Sequence, residues 1–515
     1  MRVALTVADF LNRGAAVYGS RTAVIDEPDV PGSLGAITYT ELEARARGMA
    51  HGLEHLGVTQ GERVAIVSPN SARFLTSYFG VSGFGRILVP VNFRLTSAEI
   101  AYIVEHSGAS VLLYDPDLTD VVADIPVAHR FALDGVDDAE LFAPAPEGLH
   151  VEQWVADEDD TCSVNYTSGT TARPKGVQLT HRNCWINAVT FGWHTGVSDR
   201  DVFLHTLPMF HCNGWGMPYA VTGMGGLHVV VRKIDGEEIL SRVERHGVTL
   251  LCGAPAVVAA ILDAAAARVR QGRAVPGGGT VRIVVAGAPP PSSAIERVEN
   301  ELGWEFIQIY GLTETSPLLT INRAPSEWDT VSAAERSLRL SRAGVPAIGV
   351  QIGISEDSEV LARSNHVFAG YWEQPQESAA ALDGGWFHTG DGGYLDGSYL
   401  VISDRKKDVI ITGGENVSSI EVEDCLYGHP AVAEAAVIGV PHEKWGETIK
   451  ALVVLRPDRD ASEGDLIAHC RDNMAHFKAP TSVEFRTVLD RTATGKLQKY
   501  KLRQPYWSGR ERTVG

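Results

Sequence analysis

Up to about residue 400 the apolar positions follow two alternating rhythms: short continuous runs that suit buried strands, and helically spaced positions between them. Leu42, Met49, Leu53 and Leu56 lie near helical spacing behind Thr40-Glu41-Leu42-Glu43, which has the form of a capping box. Gly57 and Gly61 then bracket a turn before a strand at 63–67. Thr96 to Glu99 forms a second capping box and leads through Gly108 into the strand pattern SVLLY, Ser110 to Tyr114. A helical segment at 237–246 precedes VTLLCG, and VRIVVAG runs into Pro289 to Pro291, which end the strand before a helix opens at Ser292. This alternation predicts helices layered on a largely parallel sheet. The texture changes near Asp404: the charge cluster SDRKKD and the turn TGGEN precede a helix near 418–427 and two strands, VAEAAVIGV and IKALVVL. With a final helix and strand, these make a separate α+β domain of roughly a hundred residues.

A chain of 515 residues exceeds one ordinary hydrophobic core, so at least two domains are expected. Apolar residues at 44% and charged residues at 21% describe a globular protein. The stretch 254–269 comes closest to a membrane span, but Asp263 and Arg268 interrupt it, and a buried helix is expected. Asp9 and Arg13 break the N-terminal apolar stretch before a signal core is complete, which predicts a cytoplasmic location. A net charge of −19 argues against a nucleic-acid partner, though a cleft can still hold a small anion. The six cysteines show no CxxC pair, so reduced thiols are expected in place of disulfides or structural zinc.

Candidate chemistry begins at YTSGTTARPKG, Tyr166 to Gly176. Backbone N–H groups and hydroxyls in such a turn favour oxyanions, and Lys175 adds a point charge. It is no Walker loop, because Gly176 follows Lys175 and the next residues read as a strand; the loop joins CSVNY to GVQLT as a long hairpin. Composition alone supports a bare polar hairpin tip equally well. YGLTET, Tyr310 to Thr315, follows the strand EFIQI and places Glu314 at a strand's C-terminal end, as a Mg²⁺ carboxylate or as an exposed loop acid. Asp391, among the glycines of GWFHTGDGGYL, suits ribose hydroxyls or a plain turn. Lys496 follows a Thr-Gly turn near the C-terminus, where most lysines are solvated.

Together, and in this order, TSGTTARPKG, YGLTET, HTGDGGYL, SDRKKDVIITGGENV and TATGKLQK resemble the adenylate-forming superfamily of acyl-CoA synthetases, luciferases and peptide-synthetase adenylation domains. The resemblance implies a multi-lobed α/β N-terminal domain at 1–403, with layered sheets and a small β-barrel-like lobe. A hinge at 404–407, centred on Lys407, would lead to a small mobile α+β domain at 408–515. It also implies a two-step reaction: a carboxylate attacks the α-phosphorus of ATP, then a thiol, usually of coenzyme A, displaces AMP.

By the same resemblance, Thr167, Ser168, Gly169, Thr170, Thr171 and Lys175 would embrace the β- and γ-phosphates, with Thr170 and Glu314 assisting Mg²⁺. Gly287, Ala288, Pro289, Gln308, Ile309, Tyr310, Gly311 and Leu312 would surround the nucleotide, Thr313 the α-phosphate, and Asp391 and Arg405 the ribose. Lys496 would bridge carboxylate and α-phosphate in the transition state. Gly413 and Gly414 would border the pantetheine channel.

LPMFHCNGWG, 207–216, is the acyl segment on this reading, with His211 as gate or orienter; the alternative is a core histidine. It holds no carboxylate to pair with an ammonium, which disfavours an amino acid. Phe191, Trp193, Trp215, Ile309, Leu312 and Leu318 would line an apolar pocket or belong to the core. The expected substrate is thus a hydrophobic acid, whether fatty, aryl or polycyclic. The expected activity is an acyl-CoA ligase; the alternatives are a ligase that loads a separate carrier protein and a silent nucleotide-binding homologue. The absence of a fused carrier domain favours CoA, and the terminal RTVG carries no peroxisomal address. A homodimer is common in the family. Ala172 stands where the family generally has glycine, and is expected to stiffen the loop and tune ATP affinity.

Overall fold

The computed structural model describes residues 1–151, 157–167, 173–405, 408–412, 415–442, 444–491 and 497–507, without the side chain of Arg405. Two large sheets carry the chain to about residue 346. The seven-stranded sheet runs in the order Gly370–Tyr371, Lys175–Thr180, Thr161–Thr167, Ile87–Val91, Arg63–Val67, Ala109–Tyr114, His129–Ala132. It is parallel from Thr161–Thr167 onward and antiparallel at the other edge. The nine-stranded sheet has a parallel centre, Glu305–Tyr310, Arg282–Val285, Leu250–Gly253, Val202–His205, Leu227–Val230 and Thr22–Ile25, with antiparallel strands at both edges. One hydrophobic cluster, including Leu42, Phe74, Phe191, Phe203 and Ile307, joins the two sheets through their helices.

A third, wholly antiparallel sheet follows, Val350–Ile354, Glu359–Ser364, Phe387–Asp396 and Tyr399–Arg405, and is the small barrel-like lobe. The fourth sheet, Glu415–Val417, Ile410–Thr412, Gly446–Leu455 and Val432–His442 with Ser482–Phe485 beside Gly446–Leu455, packs on helices Ser419–Tyr427 and Glu463–Asn473 around its own core. The change from third to fourth sheet falls between Arg405 and Ile410. Ser292 N and Oγ donate to Asp424 Oδ1 at 3.0 and 3.3 Å, and Ser419 N donates to Asp404 Oδ2 at 2.9 Å, so side chains bridge the small domain to the rest.

Two local expectations are corrected. The first long helix starts not at Thr40 but at Tyr39, with Thr38 as N-cap: Thr38 Oγ1 accepts from Glu41 N at 3.2 Å and Thr38 N donates to Glu41 Oε2 at 2.7 Å. Tyr39 is fully buried, which draws it into the first turn, while Glu43 pairs with Arg47 at 3.0 Å. The helix Pro255–Arg270 is buried on one face only: Val258, Ile261, Leu262 and Ala265 face the core and Val269 faces solvent. Among the described residues no helix is long and apolar enough to cross a membrane.

Candidate active site

The C-terminal ends of parallel strands hold most of the expected site residues. In the seven-stranded sheet, Thr161–Thr167 and Lys175–Thr180 form the expected hairpin, with Thr167 opposite Lys175 at its mouth. Gly176 is tightly enclosed: a Cβ there would lie 2.9 Å from Val164 and 3.1 Å from Trp372, so those side chains would have to shift. Ser168, Gly169, Thr170, Thr171 and Ala172 lie outside the described residues. Lys175 Nζ stands 4.7 Å from the centre of the Tyr371 ring.

In the other large sheet, Val285 pairs with Gln308, so Gly287, Ala288 and Pro289 leave the sheet beside Tyr310 and Gly311. Both strands are parallel, so these carboxyl ends open on the edge of the sheet where α/β proteins take ligands. A Cβ on Gly311 would fall 1.5 Å from the carbonyl oxygen of Pro317, so the chain folds tightly back on itself here. Within that fold Thr313 O accepts from Cys212 Sγ at 3.8 Å, and Glu314 Oε1 accepts from the Tyr371 hydroxyl at 3.0 Å. The Tyr310 hydroxyl donates to Asp391 Oδ2 at 2.8 Å, which joins the expected adenine and ribose residues directly. Asp391 pairs with Arg405 across the third sheet, and is 5% exposed. Gln308 is equally buried, and its Oε1 has no hydrogen-bond partner among the described residues.

The acyl segment takes an unusual backbone path. After the half-buried His211, residues Cys212 to Gly216 have φ of 38°, 42°, 56°, 60° and 77°, a left-handed turn in which Cys, Asn and Trp adopt a conformation normally left to glycine. Buried amides hold it. Asn213 N donates to Asn165 Oδ1 at 3.2 Å, Ser163 Oγ donates to Asn213 Oδ1 at 3.0 Å, and Asn165 Nδ2 donates to Ser163 Oγ at 3.0 Å. Asn187 Nδ2 donates to Trp215 O and its Oδ1 accepts from Leu318 N, both at 3.2 Å.

Phe191, Trp215, Ile309 and Leu318 are at most 3% exposed in one cluster, with Leu312 packed against it. Trp193 is a correction: it is 75% exposed, because two residues along a helix from the buried Phe191 is about 200° round the axis. Sequence reading missed Tyr371, Asn165 and Asn187, since a lone tyrosine and scattered amides carry no spacing signal.

Lys496, Lys407, Gly413 and Gly414 lie outside the described residues. Three positions beyond Lys496, Lys499 is buried with Nζ 2.8 Å from Glu423 Oε1. Burial disfavours its charge, yet Glu423, Asp404 and Asp408 outweigh burial and push its pKa up. No cluster of three or more metal-ligating side chains occurs among the described residues. A single carboxylate, Glu314, fits a Mg²⁺ that arrives on a nucleotide better than one held by the protein alone.

Comparison with known proteins decides the family. The sequence pattern described as AMP-binding enzyme matches residues 11–372, and that of the AMP-binding enzyme C-terminal domain matches 421–496. The chain belongs to the AMP-binding enzyme family. It is 36% identical to the 2-methylpropanoate–CoA ligase of Humulus lupulus, over 97% of this chain and 94% of that protein. It is 34% identical, with the same coverages, to the peroxisomal acetate/butyrate–CoA ligase of Arabidopsis thaliana. Among solved structures, an anthranilate CoA ligase in complex with anthranoyl-AMP superposes with a TM-score of 0.87 at 27% identity, covering 98% of both chains.

Proposed function

We propose that this ATP-dependent, AMP-forming acid–thiol ligase activates a small apolar carboxylic acid and passes its acyl group to coenzyme A. The observation that carries the apolar choice of acid is the cluster of Phe191, Trp215, Ile309 and Leu318, which offers only apolar side chains beside the acyl segment. The acyl segment offers no carboxylate to an amino acid's ammonium. The relatives named for 2-methylpropanoate and for acetate and butyrate support a small acid. All six cysteines are free thiols, in keeping with a cytoplasmic setting.

In the first step the substrate carboxylate attacks the α-phosphorus and the bond to the leaving pyrophosphate breaks. Two anions must meet, so positioning and charge neutralisation carry the catalysis. Thr167, Lys175 and the hairpin tip would hold the β- and γ-phosphates and Thr313 the α-phosphate. Gly287 to Pro289 with Gln308 to Leu312 would surround adenine; the unsatisfied carbonyl of Gln308 supports a donor from the base there. Asp391 and Arg405 would hold the ribose, an assignment supported by the Tyr310–Asp391 hydrogen bond. Mg²⁺ bound with ATP neutralises phosphate charge, and Glu314 and Thr170 are the residues that would hold it. Lys496 would stabilise the charge developing between carboxylate and phosphate, and His211 would orient the carboxylate.

In the second step the thiol sulfur attacks the acyl carbonyl and AMP leaves. The small domain, 408–515, would rotate about Lys407 on the rest, 1–403, withdrawing Lys496 and bringing Gly413 and Gly414 to the pantetheine arm.

Pyrophosphate release and thioester formation, measured over acids from acetate to palmitate and over small aryl acids, with and without CoA, test the reading. Release with small acids and thioester formation only with CoA are expected. Release by no acid overturns the ligase reading, release without thioester overturns CoA as acceptor, and preference for long chains overturns the acid.

A further inference from the structure

We propose that Tyr371 is a positioning residue of the nucleotide site, setting Glu314 for Mg²⁺ and Lys175 for phosphate; this rests on the function proposed above. Tyr371 ends the short strand Gly370–Tyr371, paired with Val177 two residues along from Lys175. Its backbone N donates to Ser378 Oγ at 2.8 Å, and Phe368 packs against its ring at 4.8 Å and 66°, so the phenol is held in one orientation. Phe368 N also donates to Glu314 O at 2.8 Å. The segment from Phe368 to Tyr371 therefore grips Glu314 by main chain and side chain together.

The phenol meets both charged groups with different parts of itself. Its hydroxyl takes Glu314 Oε1 at 3.0 Å, and its face lies 4.7 Å from Lys175 Nζ. A carboxylate has about four lone-pair directions; one donor fixes its plane and leaves the other oxygen open to a cation.

Lys175 and Glu314 make no ion pair among the described residues, although they share one neighbour. Direct pairing would spend on each other the two charges that the nucleotide needs. Contacts with a neutral phenol leave both charges uncompensated and so available to metal and phosphate.

The test uses full-length protein and ATP affinity by titration calorimetry, once in EDTA and once in saturating Mg²⁺, with melting temperature as a control on folding. Tyr371→Phe keeps the ring and loses the hydroxyl; Tyr371→Leu loses both. For Tyr371→Phe, affinity in EDTA should stay within about 2-fold of wild type while the gain from Mg²⁺ falls about 10-fold, the size of one hydrogen bond to a charged group. Tyr371→Leu should in addition lose roughly 3-fold or more in EDTA, as the contact under Lys175 disappears. Equal losses with and without Mg²⁺ in Tyr371→Phe, or none, overturn the positioning role while wild-type pyrophosphate release leaves the ligase reading intact. A wild-type protein that binds no ATP overturns both.

Discussion

Gly311 shows how much of the site depends on what a residue lacks. A side chain there would stand 1.5 Å from Pro317 O, a clash with backbone that no rotamer relieves, and the loop it would displace carries Thr313 and Glu314. Gly311→Ala should therefore cost activity out of proportion to stability. The expected outcome is a fall of about 100-fold or more in pyrophosphate release, with the melting temperature lowered only slightly, since a 1 Å misplacement of catalytic groups is enough for such a loss. Wild-type rates in this variant would mean that the fold-back between Gly311 and Pro317 does not set the reacting geometry. Sequence alone placed Gly311 in a loop at a strand's C-terminal end, because glycine beside an aromatic after an apolar run is an informative combination. Tyr371 was not legible in the same way. Its importance comes from facing two residues, Glu314 and Lys175, that are distant from it in sequence, and no local spacing encodes that meeting.

The elements were legible where local punctuation and burial agree. Apolar runs bounded by glycine or proline gave the strands 63–67, 110–114 and 281–287 to within a few residues, and the hairpin of Thr161–Thr167 with Lys175–Thr180 followed from what comes after Lys175. The start of the helix Tyr39–His55 was not fixed locally, because Thr38-x-x-Glu41 and Thr40-x-x-Glu43 both satisfy the capping pattern, and only the burial of Tyr39 decides between them. The left-handed turn after His211 is invisible to propensity for a stronger reason: Cys212 and Trp215 disfavour it, and partners from another element impose it. Ser163 and Asn165 project from the strand Thr161–Thr167, so the strand that leads into the hairpin tip also clamps the turn at Asn213, which on the function proposed above joins the phosphate and acyl sites. Asn165→Ala removes the acceptor of Asn213 N and should release the turn. We expect the KM for the acid to rise about 10-fold, with the KM for ATP within about 2-fold of wild type. Steady-state kinetics with each substrate varied in turn would check this, and equal changes in both constants would show that Asn165 supports the hairpin and not the acyl segment.

At the scale of the whole molecule, four histidines buried as neutral groups tie stability to pH. Burial lowers the pKa of His181 and His366 to about 4 and of His228 to about 3, and burial with the neighbouring His228 holds His205 well below its ordinary value. The geometry gives each reason to refuse a proton. Val7 N donates to His181 Nδ1 at 3.3 Å, so that nitrogen already serves as acceptor. His366 Nδ1 donates to Leu318 O at 2.7 Å, and its Nε2 has no partner among the described residues to receive a second N–H. His205 Nε2 and His228 Nδ1 are 2.9 Å apart, so one of the two must present a lone pair.

Because these folded-state pKa values lie below the unfolded value of about 6.5, the unfolded chain binds more protons below that pH, and stability falls as the pH drops. The loss begins near pH 6.5 and grows by about 1.4 kcal/mol per histidine per pH unit until the folded pKa is reached, so four groups cost roughly 5 kcal/mol by pH 5.5. Buried carboxylates act in the opposite sense. Asp26, Asp138, Glu423 and Asp424 have pKa values raised first by burial, so they gain protons more readily in the folded state and offset part of the loss once the solution is acid enough to protonate them. The melting temperature, followed by scanning fluorimetry at constant ionic strength, should accordingly fall between pH 7.5 and 5.5. His366→Asn, whose amide nitrogen can replace Nδ1 toward Leu318 O, should flatten that slope by one group's share, about 1.4 kcal/mol per pH unit at most. A melting temperature that is constant or rises on acidification would show that the carboxylates, and not the histidines, govern the response of the fold to acid.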